Sequence, residues 1–240
     1  QDPSGSKSAI LFDRGAPAKA RVAEGRLFLG EVLVDLGLID RRLSVRTRKA
    51  AAADGKTHGQ HLLATSHLDA TGLYVGLREQ LKRQTLELCS LPEATTFGFY
   101  RANYLSNWGD PGSWRVKPLP LMWRALVETL PILFREKWLT NWGEQQLQLR
   151  SDAPVNRYEM TRAETGVLNM IRAQAMALSQ LENSGLGEVQ DVRRVVAALL
   201  LSRQLVQEGQ SKEPLGYHEA PETPGSIAPP PAPSIKRSTR

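Results

Sequence analysis

The feature that most constrains this chain is an internal duplication across residues 28–80. FLGEVLVDLGLID, beginning at Phe28, returns as THGQHLLATSHLD, beginning at Thr57. The shift of 29 positions pairs Gly30 with Gly59, Leu33 with Leu62, Gly37 with Ser66, Ile39 with Leu68 and Asp40 with Asp69. A repeat implies one structural unit used twice. Each copy reads as a short apolar-periodic helix, 29–36 and then 60–65, that stops near Gly37 or Ser66, because helices commonly end on a residue with positive φ. Ile39 or Leu68 comes next, and then an Asp placed to cap the next helix by accepting from its free N–H groups. The long helices span Arg41–Ala53, closed by Asp54-Gly55, and 70–90, with Leu73, Leu77, Leu81 and Leu88 on one face before Pro92 stops it.

The flanking elements are smaller. Residues 7–22 read as a β-hairpin about the turn residues 13–17, and a lone hairpin needs something to pack on, either the repeat or a sheet upstream. At 95–105 the period changes to the alternation of a short strand carrying Phe97 and Phe99, and 107–112 reads as a turn. Pro118 and Pro120 lead into a helix at 121–127, and a second short helix carries Leu133, Phe134 and Trp138, whose amphipathic spacing makes them core rather than a base-stacking surface. Residues 147–149 and 155–160 are expected to pair as strands about Asp152-Ala153-Pro154. Thr161 and Glu164 form a capping box, and helices are expected at Arg162–Ala173, 177–183 and 189–205 with Gly185 and Gly187 in between. Helix, short helix, glycine turn and longer helix outline a winged-helix module. If it read DNA, Arg193, Arg194 and Arg203 would contact the duplex beside Gln190 and Asp191. Beyond Gln207 the composition shifts to Glu, Gly, Ser and Pro, ending in Ala228-Pro229-Pro230-Pro231-Ala232-Pro233, a spacer composition.

Composition narrows the function classes. The net charge of +6 favours acidic partners, but the basic residues are scattered among Asp and Glu, with only short clusters at Arg41-Arg42 and Arg46-Thr47-Arg48. Composition therefore argues little for nucleic acid. The single cysteine, Cys89, excludes an intramolecular disulfide, suits a reducing compartment and reads as a buried, inert thiol among leucines. The longest apolar run, 195–201, is too short for a bilayer, and no secretory signal is visible, so a cytoplasmic location is expected. The absence of an initiating Met reads as a piece of something longer. His58, His61 and His67 cluster, but with Asp69 and Cys89 they make no recognised metal-ligand spacing. Phosphate loop, nucleophile elbow and paired CxxC motifs are absent, so no enzyme, metal or cofactor is expected.

The repeat resembles the N-terminal domain of the ATPases of type II secretion and pilus assembly, with the motif RLGxxLxxxGxLxxxxLxxxLxxQ. In some members two copies five residues apart bind cyclic di-GMP, and that spacing reproduces the shift seen here. The resemblance makes Gly30, Gly59 and Gln80 the nucleotide-binding candidates. Against it, the leading Arg of each copy is replaced, by Phe28 and Thr57, the closing Gln is kept as Gln80 but is Ala51 in the first copy, and Ser44 replaces a motif leucine that Leu73 keeps. Gly30, Gly59, Leu33, Gly37, Leu62 and Leu68 are the positions that make the fold.

Over nearly the whole chain, the order KSAILFDRGAPAKARV, LGEVLVDLGLID, QLKRQTLELCSLPEATTFGFY, LPLMWRAL, RYEMTRAETGVLNMIR and VRRVVAALLLSRQL resembles bacterial PATAN-domain proteins. These are signalling and scaffold proteins of gliding and pilus-bearing bacteria, some of which continue through a proline-rich linker into a J domain. The His-Pro-Asp tripeptide of a J domain does not occur here. The expectation is a mainly α (α+β) chain divided into a hairpin that is the remnant of a PATAN-like domain (1–24), the tandem repeat (25–92), a connector (93–150), a winged-helix-like module (151–207) and a linker (208–240). Its expected role is non-catalytic protein–protein interaction in bacterial signalling, polarity or motility, with a protein partner and no cofactor. The alternatives are a winged-helix nucleic-acid binder and a cyclic di-GMP receptor.

Overall fold

In the computed structural model, which describes residues 1–23, 27–92, 94–100 and 115–209, the duplication folds as two helix-turn-helix units. They are α1 (Leu29–Asp35) with α2 (Arg41–Ala53), and α3 (His58–Ala64) with α4 (Ala70–Cys89). The repeat persists in backbone detail. Gly37 and Ser66 both adopt left-handed φ, 68° and 55°. Just after them, the Leu38 N–H donates to Leu33 O at 2.9 Å and the His67 N–H to Leu62 O at 3.0 Å. Asp40 and Asp69 cap α2 and α4, accepting from Leu43 N at 2.8 Å and Gly72 N at 2.6 Å. The copies also exchange partners: α1 packs across to α4, and α3 across to α2. Leu33, Ile39, Leu62 and Leu68 form the buried centre, flanked by Leu29, Val34, Leu43 and Leu73.

That exchange requires close helix approach. A Cβ on Gly76 would stand 2.5 Å from Leu33 Cδ2, and Leu33 is fully buried. Gly76→Ala would gain helix propensity but overpack the contact, so we expect a net loss of about 1–2 kcal/mol in urea denaturation. An unchanged or raised midpoint would show that α1 and α4 approach less closely than this.

The hairpin pairs β1 (Ala9–Asp13) with β2 (Ala16–Arg21) through Arg14 and Gly15, whose φ values of 50° and 77° are those of a type I′ turn. It packs on the repeat: β2 lies against α4, and Ala20 joins the small core of Leu81, Val116 and Leu121. Leu121 belongs to α5 (Pro118–Thr129), so the same core ties the hairpin and repeat to the helices beyond residue 117. Gln1–Glu208 form one compact unit, and Gly209–Arg240 are a second, of which only Gly209 is described.

The largest core surrounds α9 (Val189–Leu201), on which α5, α6 (Ile132–Leu139), α7 (Arg162–Ala173) and α8 (Leu178–Glu182) converge. Val192, Val195, Val196, Ala197, Ala198, Leu199 and Leu200 are all buried there. A small antiparallel sheet closes this region. Strand β3 (Leu147–Leu149) pairs with β4 (Leu205–Gln207), not with 155–160 as the sequence suggested. Val155 and Tyr158 are drawn into the core instead, and Val155–Arg157 make a 3-10 turn. The last helix also ends earlier than expected. Arg203 takes a φ of 56° and the Gln204 N–H donates to Leu199 O at 2.8 Å, which turns the chain into β4.

The expected strand at 95–105 is not formed over its described part. Residues 95–100 are irregular, with Phe97 and Phe99 75% and 83% exposed, because alternation alone supplies no partner strand. The remainder of that segment and the expected turn at 107–112 lie outside the described residues. The fold is mainly helical, with the hairpin and one small sheet among the described residues. No helix among them is long and apolar enough to cross a membrane.

Candidate functional site

The nucleotide candidates are engaged within the chain. Gly30 lies under Ser44 and His58, where a Cβ would stand 2.3 Å from Ser44 Oγ, and Gly59 lies under Leu73 Cδ1. The Gln80 amide donates to Leu27 O at 2.7 Å and holds the entry to α1. Phe28 and Thr57 occupy the N-cap positions of α1 and α3. Thr57 and Gln60 form a reciprocal cap at 3.0 and 3.3 Å, whereas Phe28 lies beneath the Arg48 guanidinium, 5.1 Å from the ring centroid.

The histidines face separate partners. His58 Nε2 lies 2.8 Å from Thr47 Oγ1, and burial, helped by the nearby Arg48 and His61, lowers its pKa and favours the neutral ring. His61 Nδ1 is 3.3 Å from Asp54, His67 is exposed, and Asp69 is occupied as a helix cap. Among the described residues no three His, Cys, Asp or Glu side chains group as metal ligands. Cys89, expected to be buried, is exposed at the last residue of α4. Neighbouring side chains still desolvate its thiol enough to push the pKa up.

The arginines expected to read DNA also have internal roles. Arg193 forks between Glu136 of α6 and Glu182 of α8, and this contact, opposed by partial burial, holds the Glu136 carboxyl below its usual range. Arg135 supports the junction by donating to Glu136 at 3.2 Å and to Gln190 at 2.7 Å. Arg194 pairs with Asp191 at 2.8 Å. Only Arg203 of the three has no ion pair among the described residues, and it sits at the turn beyond α9. Arg193 thus fastens three helices together.

The same junction turns α6 in a way the sequence did not indicate. Its buried positions are Arg135 and Leu139. Ile132, Leu133 and Phe134, the latter two expected in the core, are 62%, 85% and 50% exposed. Trp138 is half-buried and meets Trp142 with ring centroids 6.0 Å apart. An arginine at the inward position hides the buried stripe from any reading based on hydrophobic periodicity. The result is an exposed apolar ledge at the start of α6, with the 45%-exposed Val189 next in sequence to Gln190, which Arg135 contacts.

Compared with protein-family models, curated protein sequences and solved structures, the chain matches none of them.

Proposed function

We propose that this chain is a non-catalytic protein-interaction module, with the ledge of Ile132, Leu133 and Phe134 as its principal contact. The observation that carries the reading is the exposure of three consecutive large apolar side chains on a helix whose other face is locked by Arg135 and Leu139. Water contact with such a patch is unfavourable, and contiguous apolar surface is the usual mark of a docking site. The resemblance to PATAN-domain proteins supports a setting in bacterial signalling, polarity or motility, in the cytoplasm.

The test compares the intact chain with Leu133→Asp/Phe134→Asp as bait. Both side chains are at least half exposed, so thermal melting should be unchanged. A partner recovered by the native chain should bind the variant at least about 30-fold more weakly, the consequence of losing a hot spot worth about 2 kcal/mol. Equal recovery by both would reject the ledge as the contact.

A further inference from the structure

Helix α2 carries Arg41, Arg42, Arg46, Arg48 and Lys49, all exposed. The sequence presents them as two short clusters and a lysine. At 3.6 residues per turn they fall within one arc of roughly 160°, along a helix about 20 Å long. Ser44, Thr47 and Ala51 face the other way and are buried. None of the five cations has a described carboxylate within ion-pair distance. At the start of the helix, Arg41, Arg42 and Arg46 line an open cleft with Leu43, His67 and Asp40, whose carboxylate is committed to the Leu43 N–H.

The duplication provides an internal control for what these charges do. Under the shift of 29, Arg41, Arg42, Arg46, Arg48 and Lys49 of α2 correspond to Ala70, Thr71, Val75, Leu77 and Arg78 of α4. The two helices have the same cap and come after the same turn, so the fold needs at most one cation among these positions. Arg48 lies over the Phe28 ring, and the other four have no carboxylate partner among the described residues; like charges on a single face repel one another, a cost that an anionic partner would relieve.

We propose that the outer face of α2 binds the phosphate backbone of duplex nucleic acid. A linear row of cations suits a linear polyanion, and a helix fits a major groove about 12 Å wide. Ala52 and Ala53 are exposed near the end of the helix and leave room for close approach. A helix that inserts into a membrane needs protruding bulky apolar anchors, whereas the outer arc of α2 offers only Val45, 44% exposed. The helix contains no Asn or Gln, side chains that read adenine edges, so its arginines offer phosphate contacts and guanine edges as their targets. This surface is separate from the α6 ledge, and failure of either proposal leaves the other standing.

The test is fluorescence anisotropy of a labelled mixed-sequence duplex titrated with the intact chain over a range of salt. Five phosphate contacts imply a slope of log K against log salt of about −4.5. Arg42→Gln/Arg46→Gln/Lys49→Gln should reduce its magnitude by about 2.7, with thermal melting unchanged because all three side chains are exposed. Arg203→Gln should leave the slope nearly as in the native chain. The proposal is overturned by absence of binding at low salt, or by a triple variant that binds like the native chain. It is equally overturned if Arg203→Gln removes the binding, or if the chain binds phosphatidylserine vesicles through the three residues and does not bind the duplex.

Discussion

Trp123→Ala is expected to remove about 3–5 kcal/mol of unfolding free energy, one of the two largest effects anticipated for single substitutions here. Trp123 is fully buried in the largest core. Its ring stacks on Tyr158 at a centroid distance of 5.4 Å and an interplanar angle of 8°, and its indole N–H donates to Glu164 at 3.1 Å. Tyr158 is buried as well, which pushes its phenol pKa up, while hydrogen bonds with Ser202 and Gln204 act in the opposite sense. The tryptophan therefore links α5 to α7 and, through Tyr158, to the turn that ends α9. Truncation would leave a cavity among rigid neighbours and take one of three donors from the Glu164 carboxylate. Trp123→Phe keeps a stacking ring and loses only the N–H and some volume, so about 1–2 kcal/mol is expected. Urea denaturation monitored by circular dichroism checks both, and a loss below about 1 kcal/mol for the alanine variant would contradict this packing.

Glu164→Ala is expected to cost a comparable amount, about 3–5 kcal/mol, because it leaves the buried Trp123 indole and the part-buried Thr161 amide and Arg124 guanidinium without this acceptor. One carboxylate oxygen receives the Thr161 amide at 2.8 Å, the Trp123 indole at 3.1 Å and the Arg124 guanidinium. Burial disfavours the charged form, but the Thr161, Trp123 and Arg124 donors outweigh it and hold the carboxyl below its ordinary value. A group whose folded pKa is depressed contributes its full stabilisation above the unfolded value, near 4.5. It loses that contribution as the pH falls from there through the folded pKa. Glu136 and Glu159 are shifted in the same direction, by Arg193 and Lys117, so the native chain loses stability from all three on acidification. The alanine variant should therefore lose less between neutral and acidic pH than the native chain. Parallel losses in both would mean that Glu164 is not ionised in the folded protein.

These two variants share the Trp123–Glu164 hydrogen bond, so their effects should not add. The capping half of this arrangement is readable from Thr161 and Glu164 alone, three residues apart. Its other half is not, since Trp123 and Arg124 are about forty positions away and nothing local specifies that they arrive at the same oxygen.

The same division runs through the candidate sites. The sequence placed Arg193, Arg194 and Arg203 on the outer face of the last helix but did not show the glutamates that two other helices bring to Arg193. It showed Arg41, Arg42, Arg46 and Arg48 as fragments, whereas helical geometry together with the burial of Ser44, Thr47 and Ala51 gathers them on one outward face.

Local sequence is enough to specify the duplicated helix-turn-helix units, their left-handed turns at Gly37 and Ser66, their aspartate caps and the hairpin turn, because caps and turns are interactions within a few residues of chain. Long-range packing is what pairs β3 with β4, turns Arg135 of α6 inward so that Leu133 is exposed, and leaves the cations of α2 without carboxylate partners. Each of those outcomes depends on groups distant in sequence competing for the same contact, and that competition is settled only when the helices pack.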